Sequence, residues 1–176
     1  MLEQDGAPIV NAAAAMSSAL ARGGKMLVFG NGGSAADSQH LAAELVGRFM
    51  RERQALAVIA LTTDTSVLTA VGNDYTYERV FARQMEALGR PGDVALAIST
   101  SGGSPNVVAA LTVAKAREMT MIGLTGGDGG LIGRMVDIHI NVPGRSSPRV
   151  QEVHRTILHV MCEIMERELE QTPAHP

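Results

Sequence analysis

KMLVFGNGGSAADSQHLAAELVGR, residues 25–48, reads as a buried strand, a tight turn and a helix in immediate succession. Lys25 to Gly30 is a short apolar run with no alternation, as expected of a strand covered on both faces. Asn31-Gly32-Gly33-Ser34 then breaks the run. Ala35 to Arg48 takes up helical spacing, with Leu41, Leu45 and Val46 on one side. A strand that leads through a glycine turn straight into a helix is the opening of a parallel α/β sheet.

The rest of the chain repeats this pattern. An Ala-rich helix over residues 7–22 precedes the quoted stretch, and Gly23-Gly24 ends it. ALAVIAL (55–61), DVALAI (93–98), TMIGL (120–124) and residues 138–142 are four further apolar runs of strand length. Between them, 65–71 and 77–88 read as helices around a Gly72-Asn73-Asp74 break. Pro105 opens a helix to about Glu118, and a short helix spans 131–135. A loop with Pro143, Gly144 and Pro148 precedes a last helix over roughly 150–169. Five such strands between helices predict a three-layer α/β/α sandwich around a five-stranded parallel sheet, doubly wound.

Composition agrees. Of 176 residues, 45% are hydrophobic and 19% charged, the balance of a packed globular chain. Aromatics make up only 3% and Trp is absent, so aliphatic residues and ten Met must fill the core. A net charge of -3 supplies no field to recruit nucleic acid. The densest basic cluster, Arg48, Arg51 and Arg53, is interrupted by Glu52 and reads as a solvated helix end. The single cysteine, Cys162, permits no internal disulfide and falls on an apolar helical stripe, where it reads as a buried small hydrophobe. No apolar run reaches the length of a membrane span, and the N-terminus lacks a signal-peptide pattern, so a cytoplasmic address is expected.

Two loops carry the chemistry. Gly30-Asn31-Gly32-Gly33-Ser34 leaves the first strand and Ser99-Thr100-Ser101-Gly102-Gly103-Ser104 leaves the third. In an open parallel sheet both lie at the carboxyl edge, where ligands bind. Each joins glycines, which admit close approach, to hydroxyl donors at a helix start, where unpaired N–H groups favour an anion. A phosphate cradle fits; so do two plain turns with Ser34 and Ser104 as N-caps. A Walker A loop is absent, and Ala35 stands where a dinucleotide fingerprint wants its third glycine, so no nucleotide cofactor is expected. His40 and Glu44 share a helix face at i and i+4. They suit a metal ligand pair, a general base or a surface contact. His154, on the last helix with Gln151 and His159, reads as structural and is assigned no role.

Together GNGGSAADSQHLAAEL (30–45), GNDYTYERVF (72–81), ISTSGGSPNV (98–107), LTGGDGG (124–130) and RVQEVHRTILHV (149–160) resemble the SIS (sugar isomerase) domain family, and within it the phosphoheptose isomerases. The resemblance implies one SIS domain over 1–176 with flavodoxin-like strand order. An N-terminal helix over 1–22, a sugar-phosphate-binding core over 23–147 and a C-terminal helix over 148–171 would compose it. It implies conversion of D-sedoheptulose 7-phosphate to D-glycero-D-manno-heptose 7-phosphate, a step toward lipopolysaccharide heptose. Asn31, Gly32, Gly33 and Ser34 would border the sugar, and Asn73 and Asp74 its hydroxyls. Ser99, Thr100, Ser101 and Ser104 would hold the phosphate, and Arg48 would lie near the substrate. Glu44 would be the catalytic base and His159 its acid partner. His40, Glu44, Gln151 and His159 match a zinc site of some members, one ion per subunit, with Glu44 and Gln151 also facing substrate. Active sites at subunit interfaces of a homotetramer are implied, without nucleic acid or membrane partners.

Gln151 and His159 are eight residues apart, roughly 12 Å along a helix. Either Gln151 sits in the loop before the helix, or the site mixes subunits; the expectation here is that His159 acts across an interface. Relative to the family, the N-terminus is shorter by about a helix, Gly103 replaces a common asparagine, and Pro148 stands where some members carry an aspartate. Two other readings remain: a non-catalytic scaffold like the initiator-associating protein of bacterial replication, and an isomerase or sensor of another sugar phosphate. The former tends to lose the Glu44–His159 pair, which is present here.

Overall fold

The computed structural model describes residues 6–170; the parts of the expected terminal helices at residues 1–5 and 171 lie outside them. Along the chain come α1 (Ala7–Ala21), β1 (Met26–Gly30), α2 (Gly33–Val46), β2 (Val58–Ala60) and α3 (Thr65–Asp74). A 3-10 turn (Tyr77–Arg79) leads into α4 (Val80–Leu88), β3 (Val94–Ser99), α5 (Pro105–Ala116) and β4 (Thr120–Gly126). Then follow α6 (Gly130–Met135), β5 (Ile138–Val142) and α7 (Ser147–Glu170).

The five strands form one parallel sheet in the order β2-β1-β3-β4-β5, the flavodoxin-like order. Alternation along each strand divides the core. Met26, Val28, Leu96, Ile98 and Leu124 face α1, α2 and α7, where Met16, Leu41, Leu45, Leu158 and Met161 cover them. Leu27, Phe29, Ala95, Ala97 and Met121 face α4, α5 and α6. The alanines of β3 leave room there for Phe29 to meet Phe81, with ring centroids 5.7 Å apart. The chain leaves β1 through α2 toward one face and β3 through α5 toward the other. The crevice between the ends of β1 and β3 is therefore the topological switch point, where ligands bind in such sheets.

Four boundaries differ from the sequence expectation. β2 is only Val58–Ala60 rather than 55–61: Leu56 gives its N–H to the Leu45 carbonyl at the end of α2, and the middle residue Ile59 is exposed. α3 runs through Gly72-Asn73 to Asp74, its end closed by a Tyr75 N–H to Val71 carbonyl bond. A single glycine thus weakens the helix without breaking it. α2 begins at Gly33 with Gly32 as its cap at φ +56°, which leaves Ser34 buried inside the first turn rather than capping it. α7 begins at Ser147 and takes Pro148 into its first turn, where a missing N–H costs nothing. Gln151 is therefore helical, not in a preceding loop. Cys162 is buried, as expected, and burial pushes its thiol up to about 12. Among the described residues no helix is long and apolar enough to cross a membrane.

Candidate active site

The loop after β3 gathers hydroxyls. Ser99 Oγ lies 3.1 Å from Ser104 Oγ and 3.4 Å from Ser101 Oγ, and the Gly103 N–H bonds Ser101 Oγ at 3.3 Å. Ser104 is the N-cap residue of α5 by backbone, yet its side chain does not cap; it turns to Ser99 instead. Gly102 makes this turn possible at φ +64°, and a Cβ there would stand 2.2 Å from the carbonyl oxygen of Gly129. The loop is thus pressed against the loop after β4. Thr125, at the end of β4, holds that second loop. Its hydroxyl donates to Asn141 Oδ1 at 2.9 Å and receives the His139 Nε2–H at 2.7 Å, and its carbonyl accepts from His154 Nε2 at 3.0 Å. Burial lowers both histidines below the ordinary imidazole value, so both serve here as neutral donors. His154 is structural, as expected.

The loop after β1 lies beside this one. Asn31 Nδ2 donates to Asn106 Oδ1 at 2.8 Å, and Asn106 Nδ2 returns a bond to Asn31 Oδ1 at 2.9 Å. Tyr77 Oη donates to the same Asn31 Oδ1 at 3.2 Å. Asn73 and Asp74 lie exposed at the end of α3, bonded to each other at 2.8 Å.

α2 and α7 run side by side in the same direction, and their polar stripes face each other. A Cβ on Gly33 would stand 2.3 Å from the Gln151 amide nitrogen. One turn on, the Asp37 carboxylate takes two bonds from Arg155, at 2.7 and 3.1 Å. Further on, His40 Nε2 meets His159 Nε2 at 2.7 Å, and Glu44 Oε1 is 3.6 Å from His40. At the end, the buried Glu166 carboxylate accepts the N–H groups of Phe49, Met50 and Arg51 at 2.9, 3.0 and 3.0 Å. Arg53, 3.3 Å from Glu166, donates to the Glu44 and Leu45 carbonyls and so closes the end of α2. A groove of about 510 Å³ follows the seam past Gly33, Asp37, Gln151, Arg155 and His159.

Ligand atoms of His40, Glu44 and His159 lie within 4.8 Å of one another, all three residues half-buried. At 2.7 Å between His40 and His159, one imidazole N–H donates to the lone pair of the other. Two imidazoles and a carboxylate are the donor set of a zinc site with an open position, so the residues fit that ion. The cluster forms within one chain. The expectation that His159 must act across an interface is thereby corrected: parallel packing of α2 and α7 brings it to Glu44 directly. Gln151, two turns earlier on α7, is the residue that stays apart. Arg48 is exposed beyond the end of α2, 3.9 Å from Glu52, and is not drawn into the cluster.

Sequence reasoning missed Asn106, the Asp37–Arg155 pair and the Glu166–Arg53 bracket. The polar stripes 33/37/40/44 and 151/155/159 carry a matching helical period, a signal that two such helices can be zipped together. For Asn106 no sequence signal stood out.

The SIS domain profile matches residues 1–126. The phosphoheptose isomerase of Geotalea daltonii is 59% identical over 154 residues, 88% of this chain and 80% of that protein. Two solved structures superpose closely. The phosphoheptose isomerase of Neisseria gonorrhoeae has a TM-score of 0.85 at 50% identity, covering 91% of this chain and 85% of that one. That of Francisella tularensis has 0.89 at 43% identity, covering 92% and 86%.

Proposed function

The chain belongs to the SIS-domain family, among its phosphoheptose isomerases, and from that premise we propose that its site converts D-sedoheptulose 7-phosphate to D-glycero-D-manno-heptose 7-phosphate. The observation that carries the reading is the His40–Glu44–His159 cluster at the α2–α7 seam. An aldose–ketose isomerisation moves a proton between adjacent carbons through an enediol. Glu44 takes the proton from one carbon and returns it to the next, while His159 exchanges a proton with the oxygens. Ser99, Thr100, Ser101 and Ser104 hold the phosphate, with the start of α5 supplying N–H groups and a favourable dipole. Asn31 to Ser34, Asn73, Asp74, Arg48 and Gln151 contact the sugar. A non-catalytic scaffold would have no use for the carboxylate–imidazole cluster, and this favours the enzyme.

His40, Glu44 and His159 would hold zinc. When bound, the ion supplies a Lewis acid toward the substrate oxygens. Gln151, roughly 12 Å from His159 along the same helix, completes a donor set only if it comes from a neighbouring copy. Exposed Val46, Met50 and Val160 flank the cluster with apolar surface, which suits a homo-oligomer, a tetramer by family resemblance, with sites at its interfaces. A sugar phosphate is charged and retained inside cells, so the reading places the enzyme in the cytoplasm, supplying heptose for lipopolysaccharide.

The test is to incubate purified protein with sedoheptulose 7-phosphate and follow aldose formation, with metal content measured on the same sample. Turnover is expected in the wild type, reduced by about 10²–10⁴-fold in Glu44→Gln. An inactive wild type that carries bound zinc contradicts the reading.

A further inference from the structure

We propose that Asn106 is a positioning residue: with Asn31 and Tyr77 it clasps the two substrate loops across the switch-point crevice and sets the distance from the phosphate loop to Glu44. This rests on the isomerase reading above.

The bonds are reciprocal. Asn31 and Asn106 exchange two amide hydrogen bonds at 2.8 and 2.9 Å, and the Tyr77 hydroxyl takes the remaining acceptor position on Asn31 at 3.2 Å. Two bonds between planar amides fix both position and plane, and the third bond fixes which way the Asn31 amide faces. Asn106 is 3% exposed, so a partner lost there is not replaced by bulk water. The two asparagines are 75 residues apart in the chain. Asn31 precedes α2, which packs on one face of the sheet; Asn106 lies in the first turn of α5, which packs on the other.

That placement matters because the two ends of the substrate are held by different elements. The phosphate belongs to the loop that starts α5. Glu44 rides on α2, eleven residues after its first residue Gly33, roughly 16 Å along the axis. In a seven-carbon sugar phosphorylated at one end, the reacting carbons are at the other. A shift of α2 against α5 therefore passes undiminished into the gap between carboxylate and carbon. Asn31, expected by resemblance to border the sugar, has both acceptor positions of its side chain committed to the clasp, which leaves its second amide N–H, its backbone and the following glycines to the ligand. Tyr77, 64% exposed, brings the segment after Asn73 and Asp74 to the same junction.

The test is steady-state kinetics with sedoheptulose 7-phosphate, with inorganic phosphate as a competitive inhibitor, on wild type, Asn106→Ala, Asn106→Asp, Asn31→Ala, the double alanine variant and Tyr77→Phe. Misplacement by about 1 Å costs on the order of 100-fold in rate. The expected result is kcat down by about 10- to 100-fold in Asn106→Ala, with KM and the phosphate inhibition constant within about threefold. Asn106→Asp keeps one of the two bonds and falls between. The double variant is no slower than the worse single one, because the pair acts as a unit. Tyr77→Phe, at an exposed position, folds as wild type and loses about two- to threefold in kcat. Should Asn106→Ala fail to fold, Asn31→Ala and Tyr77→Phe carry the test. Folded variants with wild-type kcat, or a kcat that falls only in step with phosphate affinity, overturn the clasp. A wild type that does not turn over overturns the isomerase reading first, and the clasp's role with it.

Discussion

The loop over Ser99–Ser104 and the seam between α2 and α7 are built on opposite plans. The loop packs its hydroxyls into six consecutive residues, and its geometry follows from one turn at the end of one strand. The seam joins His40 to His159 and Phe49 to Glu166, residues 119 and 117 apart in sequence. An anion asks only for N–H and O–H groups around a point, which a local turn can supply. Proton transfer asks for a carboxylate and an imidazole at set distances, which here depends on the register of two helices. The loop is thus sensitive to its own residues, while the seam is sensitive to brackets far from the chemistry.

The largest effect should come from breaking the seam's bracket. Glu166→Ala leaves Arg53 and three backbone N–H groups without their buried partner. We expect a loss of about 3–5 kcal/mol, measured by urea unfolding, and loss of turnover in what remains folded. Next comes Gly102→Ala, which puts a Cβ against Gly129 at a positive φ. A cost of about 1–3 kcal/mol is expected, with weakened inhibition by inorganic phosphate but unchanged metal affinity of the cluster. Equal loss of both would mean that loop and seam are not separate devices.

A smaller effect appears as a pH dependence. Burial alone would raise the Glu166 carboxyl; the N–H groups of Met50, Phe49 and Arg51, and the charge of Arg53, outweigh it and hold the group below the ordinary carboxylate range. The sign follows: its contribution is complete above the unfolded pKa and is lost as pH falls through the lower, folded value. Glu166→Gln should therefore flatten the acid limb of the melting temperature against pH, with little change in slope near neutrality. The smallest effect is at Arg48, exposed and 3.9 Å from Glu52. Arg48→Ala should stay within about 0.5 kcal/mol of wild type in stability, so a change in KM there would reflect substrate contact alone.

Most of the fold was legible because each strand is a short apolar run closed by Gly, Pro or hydroxyl residues. The misreadings were at places where pattern and packing diverge. ALAVIAL is apolar throughout, yet only Val58–Ala60 is strand, because Leu56 bonds the end of α2 instead. Gly72 looked like a stop, but α3 continues since its C-terminal bonds close at Tyr75. Pro148 looked like loop, but the first turn of a helix accepts it. At the site, the hydroxyl loop and the His40–Glu44 spacing could be read directly. That His159 joins them within one chain could not, because the matching spacing of the two helices allows a partner from the same chain or from a neighbouring copy. Asn106 was invisible for the same reason: its partner is across the crevice.

The division of labour is tested most directly by measuring kcat and KM for sedoheptulose 7-phosphate in two variants, Glu44→Gln and Ser101→Ala. Glu44→Gln should lose kcat by about 10²-fold or more with KM close to wild type, and Ser101→Ala should raise KM with kcat nearly kept. Wild-type kcat in Glu44→Gln would contradict the account.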